Sequence, residues 1–332
     1  GRRGWLYPLT MNKTGSNAFR NGYWNKVRIE AIGNTIKTFV NGIQCSNLVD
    51  DMTSEGFIAL QVHSIRSKEL EGKTIKWKNI RIVTQNLESN RTPSMPYARQ
   101  ISYLKNTLTS EEKRKGWTLL WDGKTSSGWK SAKKNDFPNQ IISSEEGVIH
   151  FPKHKMKRDP NSVGDIVTEK KYSDFELEVD FLSSAGGNSG IKYFVDALEK
   201  GDGRGIGLEY QVLDKKHPDH NQGVGGNRTI GSLYDLIAAE NLSEKNRDDI
   251  RANSSGSWNR ARILVKGGHV EHWINNIKVV EYNRFSQTFK NLIKKSKYAK
   301  HQGFGVGLSG RILLQDHSPG DIKFKNIKIR EL

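Results

Sequence analysis

The stretch GSWNRARILVKGGHVEHWINNIKVVEY, residues 256–282, reads as three β-strands in succession. In ARILVKG, apolar and polar side chains alternate with the period of a half-buried strand. Gly267 and Gly268 supply a turn, and HVEHWIN alternates again, which is the pattern of a hairpin. Asn275 and Asn276 then mark a second tight turn into IKVVEY. The same text is written once before: GYWNKVRIEAIGNTIKTFVNGIQC, residues 22–45, follows it position by position, with Asn41-Gly42 at the second turn.

The repeat extends in both directions. RGWLYPL (3–9) matches GSLYDLI (231–237), GFIALQVHS (56–64) matches GRILLQDHS (310–318), and TIKWKNIRI (74–82) matches DIKFKNIKI (321–329). The second copy carries an insertion around FKNLIKKSKYAKHQGFG. A repeat of this length means two domains of one architecture and not a solenoid of short units. Upstream of the second copy lie further strand-like segments, DFELEVDF, SGIKYFV and GLEYQVL. In the first of these Phe175, Leu177, Val179 and Phe181 share one face, and Glu176, Glu178 and Asp180 the other. Many short alternating strands joined by Gly-rich turns predict an all-β antiparallel sandwich. Helix is minor: SEEKRKG behind Thr109 reads as a capped turn, and TFKNLIKKSKYA as one helix.

Residues 84–116 lose the alternation and hold two prolines in NLESNRTPSMPYARQ, so they read as a linker containing a short helix. The expected organisation is a first unit over 1–83, the linker, and a second unit over 117–332. Only the second holds counterparts of all its strands; nothing in the first corresponds to residues 117–230. Half a sandwich leaves sheet edges and an apolar face uncovered. The first unit is therefore expected to be completed by strands that precede Gly1 in the natural chain.

Composition narrows the function. The net charge is +17, yet it is spread through KHKMKRD, EEKRKG, KKSKYAK and KFKNIKIR, and no zinc-finger or RNP signature accompanies it. A solvated Lys-rich surface accounts for it, and no nucleic-acid partner is expected. The single Cys45 allows neither an internal disulfide nor a thiolate metal cluster. No run of 18 apolar residues occurs, so no transmembrane helix is expected.

Six blocks of the second unit carry a resemblance: GWTLLWDGKTSSGWKSA, GNSGIKYFV, GIGLEYQVLD, GNRTIGSLYDLI, the opening stretch, and GRILLQDHSPGDIKFKNIKIREL. In this order they resemble the 3-keto-disaccharide hydrolase domain family, and residues 1–83 resemble the C-terminal half of a second member. The resemblance implies a concanavalin A-like jelly roll, a carbohydrate ligand, and cleavage of glycosides already oxidised at C3. It also implies export to the periplasm or cell surface.

A concave sheet binds sugars through side chains that share one face of neighbouring strands. Glu209 and Gln211 point the same way, as do Gln315 and His317, with Asp316 opposite. Asn188 lies in a turn and Lys192 two residues into a strand, and Trp273 shares a face with His269 and Glu271. A carboxylate inside the otherwise apolar EYQVL needs a reason, and catalysis supplies one. A ketone at C3 acidifies the hydrogen at C2; a base removes it, the group at C1 is expelled, and water adds. Glu209 and His317 are the candidate bases. Lys192, Gln211 or a bound cation is the candidate polariser of the ketone; Gln211, Gln315, Asn188 and Trp273 are candidate sugar contacts. Asp214, His217 and Asp219, in LDKKHPDH, are candidate ligands of a divalent cation, although their spacing matches no firm ligand pattern. Two other readings stand beside the lyase. An ordinary glycosidase needs two facing carboxylates, whereas Glu209 and Asp214, five apart, fall on opposite faces of a regular strand. A non-catalytic carbohydrate-binding module needs aromatic platforms and no perturbed carboxylate.

Overall fold

The computed structural model describes residues 6–62, 67–134, 136–154, 162–198, 205–239, 255–317 and 319–332. Two units are distinguished, Asn12–Tyr103 and a larger one of Leu104–Leu332 that includes Gly1–Met11.

In the smaller unit, β1 (Val27–Ile32), β2 (Thr35–Val40) and β3 (Ile43–Val49) form an antiparallel meander, and β4 (Ile101–Ser102) adds to β3 in parallel. The β2–β3 turn takes positive φ at both Asn41 and Gly42, as a two-residue hairpin loop with the twist of its strands requires. Residues 84–103 belong with this unit: the Gln44 side chain accepts the Met95 N–H (2.8 Å) and Val49 accepts that of Tyr103 (2.8 Å). The counterparts of the last two strands of the second copy do not form here. No strand is assigned among the described residues between 50 and 83, and Phe57, Ile58, Val62, Ile75, Trp77, Ile80 and Ile82 are exposed.

The larger unit is a β-sandwich. Its strands are β5 (Thr118–Leu119), β6 (Trp129–Ser131), β7 (Ile142–Ser143), β8 (Val148–Phe151), β9 (Ile166–Thr168), β10 (Phe175–Ser183), β11 (Asn188–Leu198), β12 (Gly205–Leu213), β13 (Trp258–Lys266), β14 (His269–Ile274), β15 (Ile277–Asn283), β16 (Arg311–Leu314) and β17 (Ile322–Glu331). One sheet runs β15-β14-β13-β10-β17-β8-β7, with β5 also on β17; the other runs β12-β11-β16-β9-β6. The stretch of residues 256–282 is the β13–β14–β15 meander, and Asn275 and Asn276 both have positive φ at its second turn.

Period-two alternation builds the core. Phe175, Leu177, Val179 and Phe181 of β10 meet Ile191, Tyr193, Leu208, Tyr210, Val212 and Ile312 of the facing sheet, all buried in one cluster. The polar alternates of β10 are buried too, and each is paired. Glu176 lies between Arg262 and Arg330, Arg260 reaches Asp180 (2.6 Å) and Glu178 (3.8 Å), and Lys328 reaches Glu178 (2.9 Å). Leaving such carboxylates unpaired would cost several kcal/mol each, so the row of Arg and Lys on β13 and β17 is a condition of burying β10.

The helices follow their caps. Ser110–Arg114 begins at a capping box of Thr109 and Glu112. TFKNLIKKSKYA is not one helix. Gln287–Lys295 stops at an extended Ser296, whose hydroxyl accepts the Tyr298 N–H (3.1 Å) and starts a separate 3-10 turn, Lys297–Lys300.

Candidate active site

One face of the five-stranded sheet enters the core; the other gathers polar groups. Register places Lys192 of β11 directly opposite Glu209 of β12, and Gly190 opposite Gln211. Directly opposed residues share a face. β16 lies on the far side of β11, with Leu313 opposite Lys192, and the Gln315 N–H bonds to the Gly190 carbonyl (3.0 Å). β9 comes next, with Val167 opposite Leu313. Two rows therefore cross the sheet. One is Glu209–Lys192–Leu313–Val167; the other is Gln211–Gly190–Gln315, which ends at Asp165, just before β9.

Gly190 leaves the space that the Glu209 carboxylate occupies. A Cβ there would run into the Glu209 carboxylate, which lies over the glycine. Lys192 is buried and its ammonium donates to the Gly205 carbonyl (3.0 Å). Gln211 donates from Nε2 to Asn188 Oδ1 (3.3 Å), while its Oε1 is buried with no hydrogen-bond partner among the described residues. A buried acceptor left open in this way costs about 1–3 kcal/mol unless something else fills it.

His317 lies beyond Gln315, half-buried. Desolvation, then the charges of Lys192 and His217, push its imidazole down to about 4, with Lys297 adding to this and Asp219 opposing it. Lys297, from the insertion of the second copy, lies close enough to act electrostatically on Glu209, Lys192 and His317. The residue as a whole is exposed, but its ammonium sits 4.0 Å from the centre of the Tyr234 ring. Its pKa is lowered by desolvation, against the attraction of Glu209 and Asp235. The Tyr234 N–H donates to the Glu209 carbonyl (3.0 Å), which ties this loop to β12. Lys192, Glu209, Gln211, Asn188, Gln315 and His317 are thus brought to one face.

Trp273 is not. It stands with His269 and Glu271 on the outer face of the other sheet, because Val270, His272 and Ile274 take the core positions of β14. Its indole donates to Glu271 (2.8 Å) and lies under Arg262, 4.6 Å from the ring centre. The face that holds Lys192 and Glu209 therefore gains no aromatic platform from Trp273.

Asp214, His217 and Asp219 do not converge either. Asp214 already accepts from the Gly186 N–H (2.8 Å), the Lys216 N–H (3.0 Å) and the Ser255 hydroxyl, which makes it the brace of its loop. His217 Nδ1 accepts the Asp219 N–H (3.1 Å), and that ring nitrogen lies 4.0 Å from the Asp219 carboxylate. The three do not gather as one ligand set, and Asp214 could turn to a cation only by giving up bonds that shape the loop. Among the described residues, the ligand atoms that do gather, within 4.8 Å of one another, belong to His269, Glu271 and Glu281 on the outer face. That cluster could hold a metal, but the Lys278 ammonium already bridges its two carboxylates.

The residue that the sequence reading missed is Asp165. It is buried, accepts the Asp316 N–H on Oδ1 (2.9 Å), and leaves Oδ2 without a partner among the described residues. Desolvation, opposed by Lys192 and reinforced by Asp316 and Glu209, pushes it up to about 7. Its parity with Val167 was readable in GDIVTEK, but the pairing of this short strand with β16 was not. Asp316, by contrast, is structural: His154 (2.8 Å), Ser162 (2.9 Å) and the Val163 and Gly164 N–H groups (3.0 Å each) surround it.

The larger unit is thus a jelly-roll sandwich with buried ionisable groups along the non-core face of its five-stranded sheet. The 3-keto-alpha-glucoside-1,2-lyase-like domain family matches residues 1–83 and 116–330, and the chain belongs to that family. A 3-keto-disaccharide hydrolase of Bacteroides thetaiotaomicron is 32% identical over 238 residues, 65% of this chain and 79% of the relative. A crystal structure of a provisionally assigned glycosyl hydrolase from Parabacteroides distasonis is 30% identical, with a TM-score of 0.58 over 69% of this chain and 99% of that one. A second such protein of P. distasonis is 23% identical, with a TM-score of 0.46 over 65% of this chain and 99% of that one.

Proposed function

We propose that the larger unit cleaves glycosides oxidised at C3, by removing the C2 proton, eliminating the group at C1 and hydrating the product. The observation that carries this reading is the direct opposition of Lys192 and Glu209 on adjacent strands, both buried on the face turned away from the sandwich core. C2 and C3 of the sugar are adjacent atoms, so a base and a polariser of the ketone must be adjacent groups. Lys192 is placed to stabilise the enolate oxygen and Glu209 to take the C2 proton. His317 is neutral near pH 7, as a base requires, but at about 4 it is a weak proton acceptor. Its role in this reading is to hold the sugar together with Gln211, Gln315 and Asn188. Family membership supports a carbohydrate substrate and a carbohydrate-active enzyme. An exported location rests on the family resemblance alone.

The test is Glu209→Gln, assayed on 3-keto-disaccharides and on their unoxidised parents. The reading expects turnover of the 3-keto substrate to fall by about 10²–10⁴-fold while binding of the sugar persists. A variant that keeps wild-type turnover would sink it. Binding of both sugars by a wild-type protein that cleaves neither would establish a binding module instead.

A further inference from the structure

We propose that Asp165 is the acid that protonates the departing oxygen at C1, on the same sheet face as Glu209. This rests on the elimination reading above. Elimination needs a second proton carrier, because a sugar alkoxide is a poor leaving group. Among the described residues of this face, Asp165 has the geometry for it. It is buried, one oxygen is fixed by the Asp316 N–H, and the other has no partner among the described residues. The two rows of the sheet put Glu209 and Asp165 on one face, where the Glu209 carboxylate lies over Gly190 and so reaches across β11 toward the strand of Asp165.

The charged groups that face Asp165 are Lys192 from β11, Asp316 from the segment after β16, and Glu209 from β12. Desolvation, with the two carboxylates, outweighs the lysine and the Asp316 N–H, so the carboxyl holds its proton up to about pH 7. The steps balance. Glu209 takes the C2 proton, its electron pair forms the C1=C2 bond, the C1–O bond breaks, and the leaving oxygen takes the proton of Asp165. Water then gives hydroxyl to C1 and a proton to Asp165, while Glu209 returns its proton to C2. Both carboxyls end as they began.

The experiment compares two 3-keto-glucosides, one with a second glucose as leaving group and one with p-nitrophenol, which departs without an acid. Asp165→Asn keeps the acceptor for the Asp316 N–H. It is expected to lose on the order of 10²-fold or more in turnover with the glucose leaving group, and less than about tenfold with p-nitrophenol. Equal losses for both substrates, or none, would overturn the assignment. Should the variant not fold, the wild-type protein decides: a fall in rate above about pH 7 is expected for the glucose leaving group only, and a fall shared by both substrates overturns the proposal. If the wild type turns over neither substrate, the elimination reading itself fails. Asp165 is then judged by a carbon-13 titration of its carboxyl. A midpoint near 7 that moves on adding 3-keto-disaccharide supports a proton carrier at a sugar site, and an ordinary carboxylate midpoint refutes it.

Discussion

Gly190 is the residue on which the site turns. A methyl group there has no room beside the Glu209 carboxylate. Gly190→Ala should therefore displace Glu209 and cost at least tenfold in turnover, with a small change in melting temperature, because the carboxylate rather than the core gives way. Turnover within twofold of wild type would show that the carboxylate does not need its place over the glycine. His317→Ala should lose less than Glu209→Gln, since a neutral imidazole at about 4 contributes hydrogen bonds and not proton transfer near pH 7. Steady-state kinetics of the two variants side by side check this; a larger loss for His317→Ala would transfer the role of base to it. At this scale the sequence was informative wherever parity within a strand decides. Glu209 with Gln211, and Gln315 with His317, were readable from their spacing of two. Trp273 shows the limit: parity placed it correctly beside His269 and Glu271, but nothing in the chain said which of two sheets that face belonged to.

At the scale of elements, the two copies show what a strand needs. β13, β14 and β15 are joined by tight turns, so their partners are local, and the counterpart in the first copy folds as β1, β2 and β3. β16 and β17 pair with β5, β8, β9, β10 and β11, which all come from residues 118–198. Residues 1–83 hold no counterpart of those, and segments 56–62 and 74–82 have no ladder to join. Asn79 nevertheless keeps the positive φ of its counterpart Asn326. Local backbone preference survives where long-range pairing does not. Of the repeated Gln61 and His63, the second lies outside the described residues. Ion pairs set a second requirement. Glu176 is wholly buried between Arg262 and Arg330, and Glu176→Gln should destabilise the larger unit by about 3–5 kcal/mol in denaturant unfolding. A loss below about 1 kcal/mol would mean that the pair merely breaks even against its desolvation.

For the whole sandwich, a polar thread runs through the core. His272 is buried, with Nδ1 donating to the Gly231 carbonyl (3.0 Å) and Nε2 accepting from the Tyr193 hydroxyl (2.8 Å), which in turn meets the Tyr282 hydroxyl (2.8 Å). Burial pushes this imidazole from 6.5 down to about 4. The unfolded chain thus takes the proton first, and stability present above about pH 6.5 is lost as the pH falls toward 4. The loss amounts to roughly 3 kcal/mol, and His272→Phe should flatten that part of the pH dependence of unfolding. An unchanged slope would place the titration elsewhere. The jelly roll was legible from alternation, turn residues and the repeat; the sheet order that joins Asp165 to Glu209 was not, because pairing between distant strands leaves no local mark. The most direct measurement of the central claim is the rate of cleavage of a 3-keto-disaccharide against its unoxidised parent, with the C2 hydrogen replaced by deuterium in a parallel sample. The account predicts cleavage of the oxidised substrate alone, slowed by deuterium at C2. Cleavage of the unoxidised sugar at a comparable rate, indifferent to deuterium at C2, would contradict it.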